Sequence, residues 1–370
     1  MILAKKVRLY PSEIQEQKLW QSVGTARFIY NWTLNRQEEN HKKGGKFISD
    51  GILRKEITQL KKNELSWLNK VSNNVAKQAV KDGCNAYERF FKGLSDKPRF
   101  KSRKKSKKSF YNDTAKLKVK EKSVLIEKVG WIRTKEQLPI NVKYTNPRVS
   151  FDNKYWYISV GVECEEIQEE LTDVSLGIDL GLSDLAICSN GTIYKNINKT
   201  YVVRKIEKRL KKLQRQCSRK YENNKKGEEF VKTKNIIKLE KQIQQVYRRL
   251  ANIRNNYLHQ TTTSIVKTKP YRVVIEDLKV SNMMKNKHLS DSIRKQGFYE
   301  FRRQLEYKCK FRGIELVVAD RFYPSSKICS QCGSIKKDLK LKDRVYKCSC
   351  GLNINRDLNA SINLSRYELA

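Results

Sequence analysis

A carboxylate in the middle of a buried strand is the hardest demand this sequence makes on a fold. Residues 174–188, VSLGIDLGLSDLAIC, run apolar into Asp179, meet Gly181 and resume as the apolar stretch 185–188. Taking an ionised acid out of water is costly unless a cation or hydrogen bonds compensate. The segment therefore reads as a strand pair that carries Asp179 to a place where something positive meets it. Two further acids stand in similar settings. Glu276, followed by Asp277, closes the apolar run 273–275. Asp357 falls in the first turn of a helix that the spacing of Leu358, Ile362 and Leu364 predicts to begin near Asn355 and to point Asp357 inward. Alone, an acid there serves the helix dipole. With Asp179 and Glu276 it completes a three-carboxylate set, and such a set around two Mg²⁺ ions suits phosphodiester hydrolysis.

The chain has nine cysteines. Cys329 and Cys332 form CSQC, Cys348 and Cys350 form CSC, and fifteen residues separate the pairs. Two close pairs across a short loop match a zinc ribbon, in which four thiolates close one structural Zn²⁺ site. The C-x-C pair makes a tighter knuckle than C-x-x-C. Cys84, Cys164, Cys188, Cys217 and Cys309 stand alone in apolar or helical surroundings and read as small core residues. His41, His259 and His288 lie near no Ser, Cys or second His in a catalytic pattern, which argues against imidazole-based chemistry.

Lys and Arg number 79 against 39 acids, a formal charge of +40. Ordinary surfaces mix signs and keep net charge modest, so this excess predicts a polyanionic partner, nucleic acid. The densest run, KPRFKSRKKSKK at 97–108, has eight basic residues in twelve and no acid. It reads as a phosphate-contacting arm with Arg103, Lys104 and Lys105 at its centre. Phe110 and Tyr111 follow, aromatic groups suited to stacking beside cations. No apolar run approaches the roughly 20 residues of a membrane span. The start, MILAKKVRLYPSE, has charges where a signal peptide needs its apolar stretch. The expectation is a soluble, cytosolic protein.

Changes of hydrophobic period divide the chain. Residues 4–10 alternate as a strand stopped by Pro11. Ser12 with Gln15 predicts a capping box for a helix carrying Ile14, Leu19, Trp20 and Val23. Gly24 separates it from a second helix with Phe28, Ile29, Trp32 and Leu34. GILRKEITQLKKN predicts a third, and Val75, Ala76, Ala79, Val80, Ala86, Tyr87, Phe90 and Phe91 stripe a fourth. From 116 to 163 the period becomes two. LKVKEKSVLIEKVGWIRT, LPINVKYTN and RVSFDNKYWYISVGVEC read as strands, with Asp152-Asn153 as a hairpin turn. They predict a small barrel-like β domain with which strand 4–10 pairs. After an acidic linker at 167–172 comes the strand pair, then a short third strand. Two heptad stripes follow, Val203 to Cys217 and Leu239 to Tyr257, predicting an antiparallel coiled-coil arm. A strand at 273–275, a helix over about 292–311, a strand at 313–318 and a final helix complete an α/β layout.

These motifs resemble the TnpB (OrfB) family, the compact RNA-guided nucleases of bacterial insertion sequences and relatives of type V CRISPR effectors. GIDLGLSDLAI, VVIEDLKVSNM, FRRQLEYKCKFRGIELVVADRFYPSSKICSQCG and YKCSCGLNINRDLNASINL carry the resemblance over most of the chain from 174 on. KKVRLYPS, RFIYNWTLNRQ and KPRFKSRKK carry a weaker part before it. The resemblance implies a ribonuclease H-like (RuvC) nuclease domain at 172–370, with a helical hairpin at 200–262 and the zinc ribbon at 324–352. It implies a helical recognition lobe at 12–104 and a wedge β domain built from 1–11 and 105–168. Asp179, Glu276 and Asp357 fall on the family's catalytic, Mg²⁺-holding acids, and Cys329, Cys332, Cys348 and Cys350 on its zinc ligands. A guide RNA made from the element's end would direct double-strand cleavage beside a short target-adjacent DNA motif. Gln78 and Tyr111 fall where family members contact that motif, since Gln reads adenine edges and Tyr packs on bases or sugars. Asn355 departs from the pattern: relatives commonly carry an acid two residues before the catalytic Asp. The resemblance also implies a location in the bacterial cytoplasm, associated with the nucleoid, and a single protomer is expected. A guide-loaded regulator without cleavage should lack one of the acids, and a conventional transposase should join DNA ends.

Overall fold

The computed structural model describes residues 1–167, 169–340 and 342–368. Gln168, at the end of the expected β segment, Leu341, within the expected ribbon, and the last two residues lie outside them. The chain divides into two units, Met1–Cys164 and Glu165–Ala370.

In the first unit, β1 (Ile2–Tyr10) leads into helices α1 (Glu13–Lys42), α2 (Asp50–Leu60) and α3 (Asn73–Phe91). Six strands follow: β2 (Lys108–Tyr111), β3 (Lys118–Lys120), β4 (Ser123–Ile126), β5 (Gly130–Thr134), β6 (Tyr144–Phe151) and β7 (Trp156–Glu163). They form one sheet in the order β2-β6-β7-β1-β5-β4-β3. The N-terminal strand is therefore central, antiparallel to both β7 and β5, from Ile2 opposite Glu163 to Tyr10 opposite Arg133. Alternation sends Val7, Leu9, Ile132, Val149, Trp156, Ile158, Val160 and Val162 into one core. The expected barrel-like closure is not made: β2 and β3 are the two edges, and among the described residues no pairing joins them. Of LPINVKYTN, only the part from Tyr144 is strand; Pro139 has no N–H to give a ladder.

Both halves of the predicted capping box are present, with Gln15 N–H donating to Ser12 Oγ at 3.3 Å and Ser12 N–H to Gln15 Oε1 at 3.0 Å. The expected break at Gly24 is absent: one 30-residue helix runs through it. Glycine inside a helix costs about 1 kcal/mol relative to Ala. Leu19, Val23, Ile29, Tyr30 and Leu34, buried on both sides of it, outweigh that loss. Leu19 and Val23 pack into the sheet's core, while Ile29 joins Leu53, Ile57, Val80 and Cys84 in a core among the helices.

The second unit opens with β8 (Thr172–Leu180), β9 (Asp184–Cys188) and β10 (Ile193–Lys195). The arm follows as α4 (Tyr201–Glu222), a two-residue hairpin of β11 (Lys225–Lys226) and β12 (Glu229–Phe230), and α5 (Lys234–Lys267). Its seam is the predicted one: Val203, Ile206, Leu210 and Leu213 pack with Val246 and Leu250. Then come β13 (Pro270–Glu276), a turn of helix α6 (Val280–Met283), α7 (Ser290–Gln296), α8 (Phe298–Phe311) and β14 (Glu315–Ala319). The single helix expected over about 292–311 is divided at Gly297, whose φ of +72° suits glycine and ends α7. The hairpin β15 (Val345–Lys347) and β16 (Asn353–Asn355) leads directly into α9 (Arg356–Ser365). The main sheet has the order β10-β9-β8-β13-β14, antiparallel from β10 to β8 and parallel from β8 to β14.

Candidate active site

Sheet register sets two of the three acids side by side. In the parallel pair β8 and β13, Ile178 is the partner of Ile275, so the next residues, Asp179 and Glu276, are neighbours across the ladder. Adjacent strands lie about 4.8 Å apart, and the two carboxyl groups come within hydrogen-bonding reach. The third acid arrives on α9, which lies against β8 because Gly177 has no side chain. A Cβ on Gly177 would stand 2.0 Å from the Ser361 carbonyl oxygen and 2.4 Å from Ser365 N. The helix runs against the strand direction: Ser175 Oγ donates to the Ser365 carbonyl at 2.7 Å, and Gly177 meets Ser361 and Leu364. Four residues back along the helix is about 6 Å, and two residues on along the strand about 6.6 Å. Asp357 thus comes over Asp179.

The electrostatics match this crowding. Burial first, then the charges of Glu276 and Asp357, push the Asp179 carboxyl well above the ordinary carboxylate range, with Arg356 pulling the other way. Burial raises Glu276 as well, against hydrogen bonds from Ser325 and Asp179. Ser325 Oγ donates to Glu276 Oε1 at 3.0 Å. Arg356 donates from Nε and Nη2 to Asp357 Oδ1 at 3.1 and 3.0 Å, and both side chains are largely covered. Burial and mutual repulsion of this kind, at Asp179 and Glu276, are what a divalent cation would relieve. The three acids do not form a single tight cage. Among the described residues, the four ribbon cysteines are the set of potential ligands whose atoms all lie within 4.8 Å of one another. Two ions about 3.5–4 Å apart spread their ligands more widely than one ion does.

In the ribbon, Cys329 Sγ lies 3.6 Å from Cys350 Sγ, and Cys332 Sγ 3.6 Å from Cys348 Sγ. Tetrahedral zinc with Zn–S near 2.3 Å needs S···S edges of about 3.8 Å, so the four sulfurs fit that ion. The remaining cysteines behave as core residues: Cys84, Cys188, Cys217 and Cys309 are buried and Cys164 is half-buried.

The ribbon and the acids are one connected structure. Buried Asn359 and Asn363, on α9, each donate to the Ile328 carbonyl at 2.7 Å, Asn363 donates also to the Ser325 carbonyl at 2.7 Å, and Ser330 N–H donates to Asn359 Oδ1 at 3.0 Å. The segment that begins the ribbon at Cys329 is therefore fastened to the helix bearing Asp357, and its Ser325 reaches Glu276. Asn355 caps α9, accepting from Asp357 N–H at 2.9 Å and Leu358 N–H at 3.1 Å. Asparagine serves there as well as an acid would. Gly177, Ser325, Arg356, Asn359 and Asn363 were not expected as site residues. A glycine two residues before a buried strand acid was a readable sign; the asparagines differ in no visible way from capping or surface ones.

The motif-reading candidates lie in the first unit. Gln78, half-buried on α3, donates to Asp82 Oδ1 at 2.8 Å, and Asp82 is held bidentately by Arg148 at 3.0 and 3.1 Å. Tyr111, half-buried on β2, has its hydroxyl 3.4 Å from Thr114 Oγ1. Arg103, Lys104 and Lys105 form an exposed turn. Among the described residues no helix is long and apolar enough to cross a membrane.

Three family models match: "Probable transposase" of the OrfB_IS605 type over residues 158–287, its "Helix-turn-helix domain" over 1–46, and "Cas12f1-like, TNB domain" over 298–364. The chain is 33% identical to "Putative RNA-guided DNA endonuclease InsQ" of Escherichia coli K12, an alignment covering 98% of this chain and 91% of that one. It is 32% identical to a "Putative RNA-guided DNA endonuclease" of Streptomyces pristinaespiralis, over 99% and 89%. Among solved structures it resembles Cas12f1 from a complex with single guide RNA and target DNA, at a TM-score of 0.59 and 15% identity, over 95% of this chain and 82% of that one. It also resembles the mini-RNA-guided endonuclease Cas_phi3, at 0.53 and 10%, over 99% and 92%. This chain belongs to the TnpB (OrfB) family of insertion-sequence proteins, relatives of the type V CRISPR effectors.

Proposed function

We propose that this protein is an insertion-sequence RNA-guided DNA endonuclease, a RuvC-type enzyme that cuts double-stranded DNA beside a short target-adjacent motif. The observation that carries the reading is the convergence of Asp179, Glu276 and Asp357 from three distant segments onto one end of a mixed sheet, as a ribonuclease H-like nuclease would require. Asp179 and Glu276 would share one Mg²⁺ between register neighbours, and Asp357 would complete the set for a second. Bound there, Mg²⁺ supplies an activated water and charge to stabilise the leaving oxygen. Ser325 holds Glu276 in its orientation, and Arg356 holds Asp357 against its two acidic neighbours. Cys329, Cys332, Cys348 and Cys350 would hold one structural Zn²⁺.

The partners are a guide RNA and the target duplex. Pairing would carry sequence while the protein reads backbone and shape, a task that suits a charge of +40. Within the first unit, the helices at 12–104 would serve as the recognition lobe, and the strands from 1–11 and 105–168 as the wedge. Arg103, Lys104 and Lys105 would meet phosphates. Gln78 would read a base of the motif by exchanging its bond to Asp82 for one to the base edge, and Tyr111 would pack beside it.

The test is plasmid cleavage by the protein purified with its native RNA, in Mg²⁺, on a library with a randomised flank. Breaks at guide-matched sites beside one enriched flank are expected. No cleavage with any flank would overturn the reading, and joined ends would favour a transposase instead. Zinc should matter to the same assay, because β16 runs straight into the cap of α9. Cys332→Ser is expected to lose zinc and to slow cleavage by about tenfold or more, with guide binding retained. Metal analysis beside the cleavage rate checks this; wild-type cleavage by zinc-free protein would refute the coupling.

A further inference from the structure

Glu276 also lines a cleft of about 520 Å³, bordered by Asp277, Arg302 and Arg321. This volume is in the range of pockets that enclose a bound small group. Asp277, the residue after Glu276, accepts from Arg302 Nη1 at 3.4 Å through one oxygen and from Arg321 Nη2 through the other. Arg302 Nε is held in addition by Glu306 at 2.9 Å. Two guanidiniums from different elements, α8 and the turn after β14, are thus drawn together beside the acid cluster.

Both arginine side chains are more than a third exposed, 39% for Arg302 and 46% for Arg321. Ion pairs so open to solvent add little to stability, so the arrangement is poorly explained as a brace for the fold. It answers a different need. Three converging acids repel an approaching polyanion, and a phosphate entering the cleft needs positive charge close to them. A guanidinium offers five donors in a planar fork that matches phosphate oxygens. The bond described for Arg321 to Asp277 uses one of its nitrogens and leaves the rest of the fork for the cleft it lines.

We propose that Arg321 and Arg302 bind the phosphate adjoining the scissile one on the strand being cut, with Asp277 as the positioning residue that aims both. The proposal rests on reading Asp179, Glu276 and Asp357 as the nuclease centre.

The experiment is single-turnover cleavage by guide-loaded protein already bound to target and started with Mg²⁺. Arg321→Gln is expected to slow cleavage by roughly 10- to 100-fold with target affinity unchanged, and Arg302→Gln by less. A neutral methylphosphonate is then substituted in turn at each phosphate flanking the cut. One position should slow the wild type and have no further effect in Arg321→Gln, which a merely structural role would not produce. Wild-type rates in Arg321→Gln, or undiminished methylphosphonate sensitivity at every position, would overturn the proposal. If Arg321→Gln unfolds early, Arg321→Lys carries the same test, since it keeps the charge and loses the planar fork. Wild-type protein inactive on every flank would instead overturn the nuclease reading; active wild type with unaffected arginine variants overturns only this one.

Discussion

Asp179→Ala is expected to reduce target cleavage by about a thousandfold or more while guide RNA and target still bind. The carboxylate stands at the shared corner of the cluster, beside Glu276 in register and below Asp357. On the proposed reading, removing it would take away a metal ligand and no phosphate contact, so the loss would fall on the chemical step. Asp179→Asn separates this from any damage to the fold. Because the folded carboxyl holds its proton more tightly than the unfolded one, wild-type protein without Mg²⁺ loses stability as pH rises from the ordinary carboxylate range through the raised value. The amide cannot ionise and escapes that loss. Asp179→Asn should therefore melt at or above the wild-type temperature at neutral pH in Mg²⁺-free buffer. Added Mg²⁺ should raise melting in the wild type and leave the variant unmoved. A cleaving Asp179→Ala protein, or equal Mg²⁺ stabilisation of both, would contradict the assignment.

Gly177→Ala should be nearly as damaging, although it touches no reacting group. The new methyl would fall 2.0 Å from the Ser361 carbonyl oxygen, 2.4 Å from Ser365 N and 3.0 Å from the Leu364 carbonyl carbon. These are helix backbone atoms, which cannot move aside as a flexible side chain would. Either the second unit loses about 3 kcal/mol or more, or α9 lifts from β8 and carries Asp357 with it. A displacement of even about 1 Å costs on the order of a hundredfold in rate. Thermal unfolding and cleavage measured together distinguish the two routes; unchanged melting with unchanged cleavage would show that α9 does not bear on β8 as described.

Local rules made much of this protein readable in one dimension. The Ser12–Gln15 box, the seam of α4 and α5 and the alternation of β6 and β7 each depend on residues a few positions apart, and each appears in the structure. Two helices depart from the local pattern, each at a glycine whose meaning depends on distant packing. Gly24 does not end α1, because buried side chains on both sides of it outweigh its helix cost. Gly297 does divide a helix, because the chain turns there through a left-handed residue. Nothing local separates the two cases.

One dimension already holds the chemistry on offer: three acids at the ends of apolar runs, four cysteines in two close pairs, and an excess of positive charge. These are properties of residue type and short spacing, and spacing survives in any fold. How those groups meet is a property of the folded chain. Parallel register sets Asp179 beside Glu276, a missing side chain at Gly177 lets α9 bring Asp357 over them, and Asn359 and Asn363 fasten the ribbon to that helix. Each of these joins residues from nearly 100 to nearly 190 positions apart or ties a loop to a helix. Which such partners meet is settled by packing across the whole sheet and helix layer, which no short window of sequence contains.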